Sequence, residues 1–222
     1  MKSLTVSLAT PVELLVLIGG GEFSFGETSA VDEFLVSRIP STNRTVAFLP
    51  TASGSAEYAT HFGAYLRTIA PDLAVRNVPI YRGRDVRRQK SLNEILNAGM
   101  VYLGGGVAGN LLGTVRETAA EIALRSATSL GTIIAAIGAS ASCFGLHALD
   151  PRGGALPGFG WISGTVIETG FDPSDDSGLR RLMSLPEVTL GLGIPAGTAL
   201  AVHADGSTEI IGHGSIAVFR KS

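Results

Sequence analysis

The chain has 222 residues, 45% of them hydrophobic and 16% charged, with 17 Lys+Arg against 19 Asp+Glu. That balance excludes a disordered chain, and a formal net charge of -2 gives no general electrostatic pull towards nucleic acid or an anionic membrane. A single cysteine, Cys143, excludes an internal disulfide, a cysteine zinc site and a CxxC redox pair, so a reducing, cytoplasmic setting without metal or cofactor is expected.

Along the chain, the first apolar run is too short to span a membrane and meets Glu13 too soon for a signal peptide. Leu14-Ile18 then reads as a buried strand ending at Gly19-Gly21, and Val31-Ile39 has helical spacing. Thr45-Leu49 is a strand stopped by Pro50, Glu57-Ala70 a helix, and Ala74-Ile80 a strand. Arg82, Arg84, Arg87, Arg88 and Lys90 form a basic cluster with little aromatic interleaving, read as a solvated loop before a helix over Ser91-Asn97. Met100-Leu103 is a strand ending at Gly104-Gly106, Leu111-Ser129 one helix, and Thr132-Ile137 a strand ending at Gly138.

This alternation predicts a doubly wound α/β fold, a mostly parallel sheet with helices on both faces. After about residue 155, Gly158-Ile167, Val188-Leu192, Ala199-His203, Thr208-Ile211 and Ser215-Phe219 read as extra C-terminal strands or hairpins, linked by Asp-Gly and Gly turns, of a single domain over 1-222. Ligands of such sheets gather at the carboxyl ends of the strands, where the glycines stand.

Gly138-Ala139-Ser140-Ala141-Ser142 follows a buried strand and matches GxSxG in part, with serine in place of the second glycine. As a strand-to-helix elbow it would lift the Ser140 hydroxyl out of the sheet and aim the Ala141 N-H at a developing oxyanion. The alternative is a turn of small residues packed backbone against backbone. His147 lies seven residues beyond Ser140, two turns along the expected helix. His61 reads as helix surface, and His203 and His213 as hairpin residues. Glu22 is a candidate pocket acid, whereas Asp172, Asp175 and Asp176 read as a loop and helix cap and Cys143 as a buried small hydrophobe.

Five segments in order resemble one family: Leu17-Ile-Gly-Gly-Gly-Glu22, Ala47-Phe-Leu-Pro-Thr-Ala-Ser53, Val101-Tyr-Leu-Gly-Gly-Gly106, Ile137-Gly-Ala-Ser-Ala141, and Gly191-Leu-Gly-Ile194 with Thr198-Ala199. They are similar to the dipeptidase E and cyanophycinase family of serine peptidases, whose fold is class I glutamine amidotransferase-like, of the flavodoxin type. The resemblance implies that Ser140, in the place of the G-T-S-A-G-A elbow, is the nucleophile. It also implies that backbone N-H groups of Gly105, Gly106 and Ala141 form the oxyanion hole. The family's histidine, in D-x-H-F, falls on Gly170, and its acid, in G-I-G-I-D-E-x-T-A, falls on Pro195 and Ala196.

Without a base a serine hydroxyl attacks poorly, so two functions stand open. One is a hydrolase of small acidic or isoaspartyl peptides using Ser140 and a substitute base. The other is a degenerate member, a pseudoenzyme, that binds a small ligand or a protein partner without turnover. A free edge strand in the C-terminal half would also allow a homodimer.

Overall fold

Strand β1 (Leu14–Ile18) is followed by α1 (Ser29–Arg38), β2 (Thr45–Leu49), α2 (Ala56–Ile69), β3 (Ala74–Asn77), α3 (Gln89–Leu96) and β4 (Met100–Leu103). Next come α4 (Ala108–Val115), α5 (Ala119–Ser129), β5 (Ile133–Ile137) and a short α6 (Ala139–Ser142). The last third holds β6 (His147–Leu149), β7 (Ala155–Pro157), β8 (Thr165–Thr169), α7 (Ser177–Met183), β9 (Leu190–Ile194), β10 (Thr198–His203), β11 (Thr208–Gly212) and β12 (Ala217–Arg220). This computed structural model describes residues 4–221, so residues 1–3 and 222, the ends of the expected 1-222 domain, lie outside the described residues.

The architecture is mixed α/β. A seven-stranded sheet runs in the order β11-β10-β1-β5-β4-β2-β3, parallel from β1 to β3, with β10 and β11 antiparallel at one side. Alternation along β1 shows why the apolar runs are continuous: Leu15 and Leu17 face α4 and α5, while Leu14, Val16 and Ile18 face α1 and α2. A three-stranded sheet, β12-β9-β8, packs with α7 around a smaller core of Val166, Leu179 and Leu182. No helix among the described residues is long and apolar enough to cross a membrane.

Four expectations change, one being the strand over Gly158-Ile167, of which only residues 165–167 are strand. The helix over Leu111-Ser129 is two, because Glu117 turns at φ 60 and Glu121 accepts its N-H at 2.7 Å. The strand over Ala74-Ile80 stops at Asn77, since Pro79 offers no ladder donor and the Ile80 N-H turns back to Val78 O at 2.8 Å. His147 lies on no helix: α6 ends at Ser142, and Leu146 N-H donates to Thr165 O at 2.7 Å, drawing the chain towards β8.

Candidate functional site

Because β1, β5, β4 and β2 are parallel, their carboxyl ends share one edge, which carries Gly19–Gly21, Gly138 and Gly104–Gly106. At the end of β5 the backbone bends at Gly138, with φ 57 and ψ -132, a conformation that costs a residue with a side chain about 1–3 kcal/mol. A Cβ built there would meet nothing within 4 Å. The crest of the bend therefore opens into free space and carries no side chain.

The expected presentation of Ser140 is corrected by this geometry. Ser140 lies two residues past the crest, and two residues of helix swing a side chain by about 200° around the axis. Its side chain points inward: Ser140 is 0% exposed, and its hydroxyl donates to Gly104 O at 2.6 Å. The partner of the hydroxyl is a main-chain carbonyl rather than a base. The Ala141 N-H is also occupied, donating to Gly138 O at 2.9 Å, because Ala141 closes the first turn after the bend. Ala139 holds the place after the crest.

Gly105 and Gly106 do stand beside the bend. A Cβ on Gly105 would lie 3.6 Å from Ile137 O, and one on Gly106, at φ 146, would meet the Ala52 carbonyl at 2.4 Å. The ridge is pressed against the turn after β2, so only glycine fits at 106. Gly170 follows β8 at φ 64, and its N-H donates to Gly19 O at 2.7 Å, while the Gly138 N-H donates to Ile18 O at 2.9 Å. Gly138 and Gly170 thus hang on consecutive carbonyls of the β1 exit. Around the missing Gly170 side chain nothing lies nearer than Gly19 O at 4.0 Å. The β9–β10 connection reaches the same place, with Pro195 O 2.1 Å from where a Gly19 Cβ would stand, and it brings no carboxylate.

The titratable candidates are dispersed. His61 is exposed on α2, His147 pairs with Glu187, His203 lies 3.7 Å from Glu209, and His213 is exposed between β11 and β12. Glu22 is exposed, its N-H bound to Glu27 Oε2 at 2.8 Å. Asp172 and Asp175 accept the N-H groups of Ser174 at 2.8 Å and Ser177 at 3.2 Å, hydrogen bonds that hold both carboxyls below the usual range. Asp176 precedes α7 and pairs with Arg180 at 2.7 Å. Cys143 is buried, and burial pushes its thiol up to about 12. Among the described residues no cluster of three or more His, Cys, Asp or Glu could hold a metal ion.

Beside the bend lies a cavity of about 180 Å³, walled in part by Gly106, Val107, Ala139, Ser142, Glu168 and Thr169. Glu168 is its one acid. Burial pushes the carboxyl up against the opposing effect of the Leu179 N-H, and Oε2 is buried without a hydrogen-bond partner. Sequence reasoning passed over Glu168 and Ser142, although an acid closing the β-branched run Thr165-Val-Ile-Glu-Thr169 just before a glycine was a readable signal. It also missed Asp32, on the opposite face of the sheet. Asp32 is 0% exposed, accepts the Thr28 hydroxyl at 2.7 Å, and leaves its other oxygen unpartnered. Burial, partly offset by that hydroxyl, pushes its carboxyl up to about 6.

Comparison with known proteins decides the relationship: residues 15–149 match peptidase family S51. The chain belongs to peptidase family S51. The S51 match includes the Gly138 bend and ends before Gly170 and Pro195. A curated relative, "Uncharacterized peptidase YgaJ" of Bacillus subtilis (strain 168), is 24% identical over 156 residues, 68% of this chain and 66% of that protein. The match therefore spans just under two thirds of the relative's length. Among solved structures, a peptidase from an acI-B1 Actinobacterium superposes with a TM-score of 0.79 at 21% identity, covering 96% of this chain and 93% of that one. A "Putative Peptidase E Protein" from Listeria monocytogenes EGD-e gives a TM-score of 0.58 at 14% identity, over 95% and 100% of the two chains. These likenesses agree on the S51 fold: a large, mostly parallel sheet with helices and added strands.

Proposed function

We propose that this S51 member is catalytically degenerate and uses the strand edge at Gly138 to bind a small peptide or other small ligand without triad hydrolysis. The carrying observation is the bend itself. The residue at its crest is glycine, and the nearby serine is buried with its proton committed to Gly104 O. Laying G-T-S-A-G-A on Ala136-Ile-Gly-Ala-Ser-Ala141 puts the family serine at Gly138 and the second glycine at Ser140. On that register the nucleophile, the histidine at Gly170 and the acid at Pro195 and Ala196 are all gone. Without nucleophile and base an enzyme of this kind retains at most roughly 10³- to 10⁴-fold over water.

The ligand is small. The cavity of about 180 Å³ falls below the roughly 300–1,000 Å³ of drug-sized pockets, so it suits one side chain or a fragment of similar bulk. The competing reading, hydrolysis through Ser140, is favoured by the family relationship.

A fluorophosphonate probe separates the two. Wild type and Ser140→Ala should both stay unlabelled, whereas labelling of the wild type that disappears in Ser140→Ala would overturn the proposal. Calorimetry with aspartyl dipeptides should show saturable heat, with the dipeptide recovered intact; release of free aspartate by the wild type would count for hydrolysis. Ser140→Ala should leave binding unchanged and lower stability by about 1–3 kcal/mol, because it leaves a buried carbonyl without its donor.

A further inference from the structure

On the β2–β3 side of the same strand edge, the chain leaves β3 and turns back over the exit of β2. There a depression of about 460 Å³ is lined by Gly54, Tyr81, Arg82, Arg84, Asp85 and Arg88. Three guanidinium groups and one carboxylate leave this lining with a net charge of +2, on a molecule whose net charge is -2. One carboxylate cannot offset three guanidinium groups, so the hollow keeps a local positive charge.

The loop is built rather than loose. Asp85, 4% exposed, accepts the N-H groups of Tyr81 at 3.1 Å and Arg82 at 3.0 Å, and pairs with Arg88 at 3.1 Å. Those hydrogen bonds, with the nearby guanidinium of Arg88, keep its carboxyl below the usual range and hence ionised. The Thr51 hydroxyl donates to Ile80 O at 2.7 Å, tying the loop's root to the turn after β2, and Asn77 Nδ2 donates to the Tyr81 hydroxyl at 3.2 Å. Asp85 therefore anchors the backbone and neutralises one arginine. Arg82 makes no side-chain ion pair among the described residues, and Arg84 lies 3.9 Å from Asp85, too far for a hydrogen bond.

We propose that this depression is a binding site for a small ligand bearing a multivalent oxyanion, a phosphoryl group or a paired carboxylate, gripped by Arg82 and Arg84. Guanidinium forks present planar pairs of N-H donors that match such anions two at a time. The proposal does not rest on the reading of the Gly138 site.

The test uses the full chain in about 0.15 M salt, where the Debye length is about 8 Å and loose ion atmospheres are screened. Inorganic phosphate and succinate are titrated separately by calorimetry, with the arginine Nε–H resonances followed by NMR. The expected result is saturable binding of at least one of them, with shifts confined to Arg82, Arg84 and Arg88. Stronger binding of phosphate assigns a phosphoryl ligand, and stronger binding of succinate a dicarboxylate. Arg82→Gln and Arg84→Gln should each weaken the binding about tenfold or more, the worth of one charge-assisted hydrogen bond, while leaving the unfolding midpoint in place. Shifts that grow linearly with either anion, or saturable binding indifferent to both substitutions, would overturn it.

Discussion

Gly138 and Asp32 are the two residues at which local physics gives the sharpest expectations. Serine at 138 would have room, since its Cβ meets nothing within 4 Å, yet it must adopt φ 57 and ψ -132. Gly138→Ser should therefore lower unfolding free energy by about 1–3 kcal/mol in urea titration, through backbone strain alone. An unchanged midpoint would mean the bend relaxes. Asp32 carries a raised carboxyl, about 6 against 3.8, so the folded state holds its proton more tightly than the unfolded chain does. The stability this gives is complete below about pH 3.8 and disappears as the pH rises through about 6, a span of about 3 kcal/mol. Asp32→Asn should remove that dependence, so the difference in stability between variant and wild type should widen with pH across this window and then level off. A constant difference would refute it. Neither residue was legible beforehand: G-A-S-A-S reads identically whether the crest falls at 138 or at 140, and an acid inside Val31-Ile39 looks like helix surface until packing buries it.

The elements were easier to read than the residues. β1, β2 and β4 match their runs because β-branched and aliphatic residues buried on both faces end abruptly at glycine or proline. The α4–α5 break escaped because no proline or glycine stands at it. Its signal was subtler: Thr118-Ala-Ala-Glu121 has the spacing of a capping box, but the Thr118 hydroxyl donates back to Val115 O at 2.6 Å, and it is Glu121 that holds the turn by accepting the N-H of Glu117. Glu121 also pairs with Arg125 at 2.7 Å. Glu121→Ala should cost about 1–3 kcal/mol in urea unfolding, because it leaves the Glu117 N-H without its acceptor. No loss at all would show that packing against the sheet sets the break without help from Glu121.

For the molecule as a whole, the order of the large sheet sets a gradient of protection. β1, β5 and β4 lie inside it with both faces covered, whereas β3 and β11 are its edges and hold no fully buried position. Amide hydrogen exchange should be slowest in β1, β4 and β5 and markedly faster in β3 and β11. Uniform rates would contradict a core centred on β1. The alternation of strands and helices was legible down to Gly138, since local periodicity encodes it. The later part was less so, because Thr165–Thr169 owes its position to the distant Leu190–Ile194, His147–Leu149 is too short to carry a period, and Gly158-Ile167 proved to be mostly loop. One consequence follows from the glycine-lined floor at the β1 exit. Peptide groups neither gain nor lose protons across the physiological range, so the backbone of Gly138 and Gly170 would give a guest no response to acidity, and the carboxyl of Glu168 in the neighbouring cavity wall could supply one.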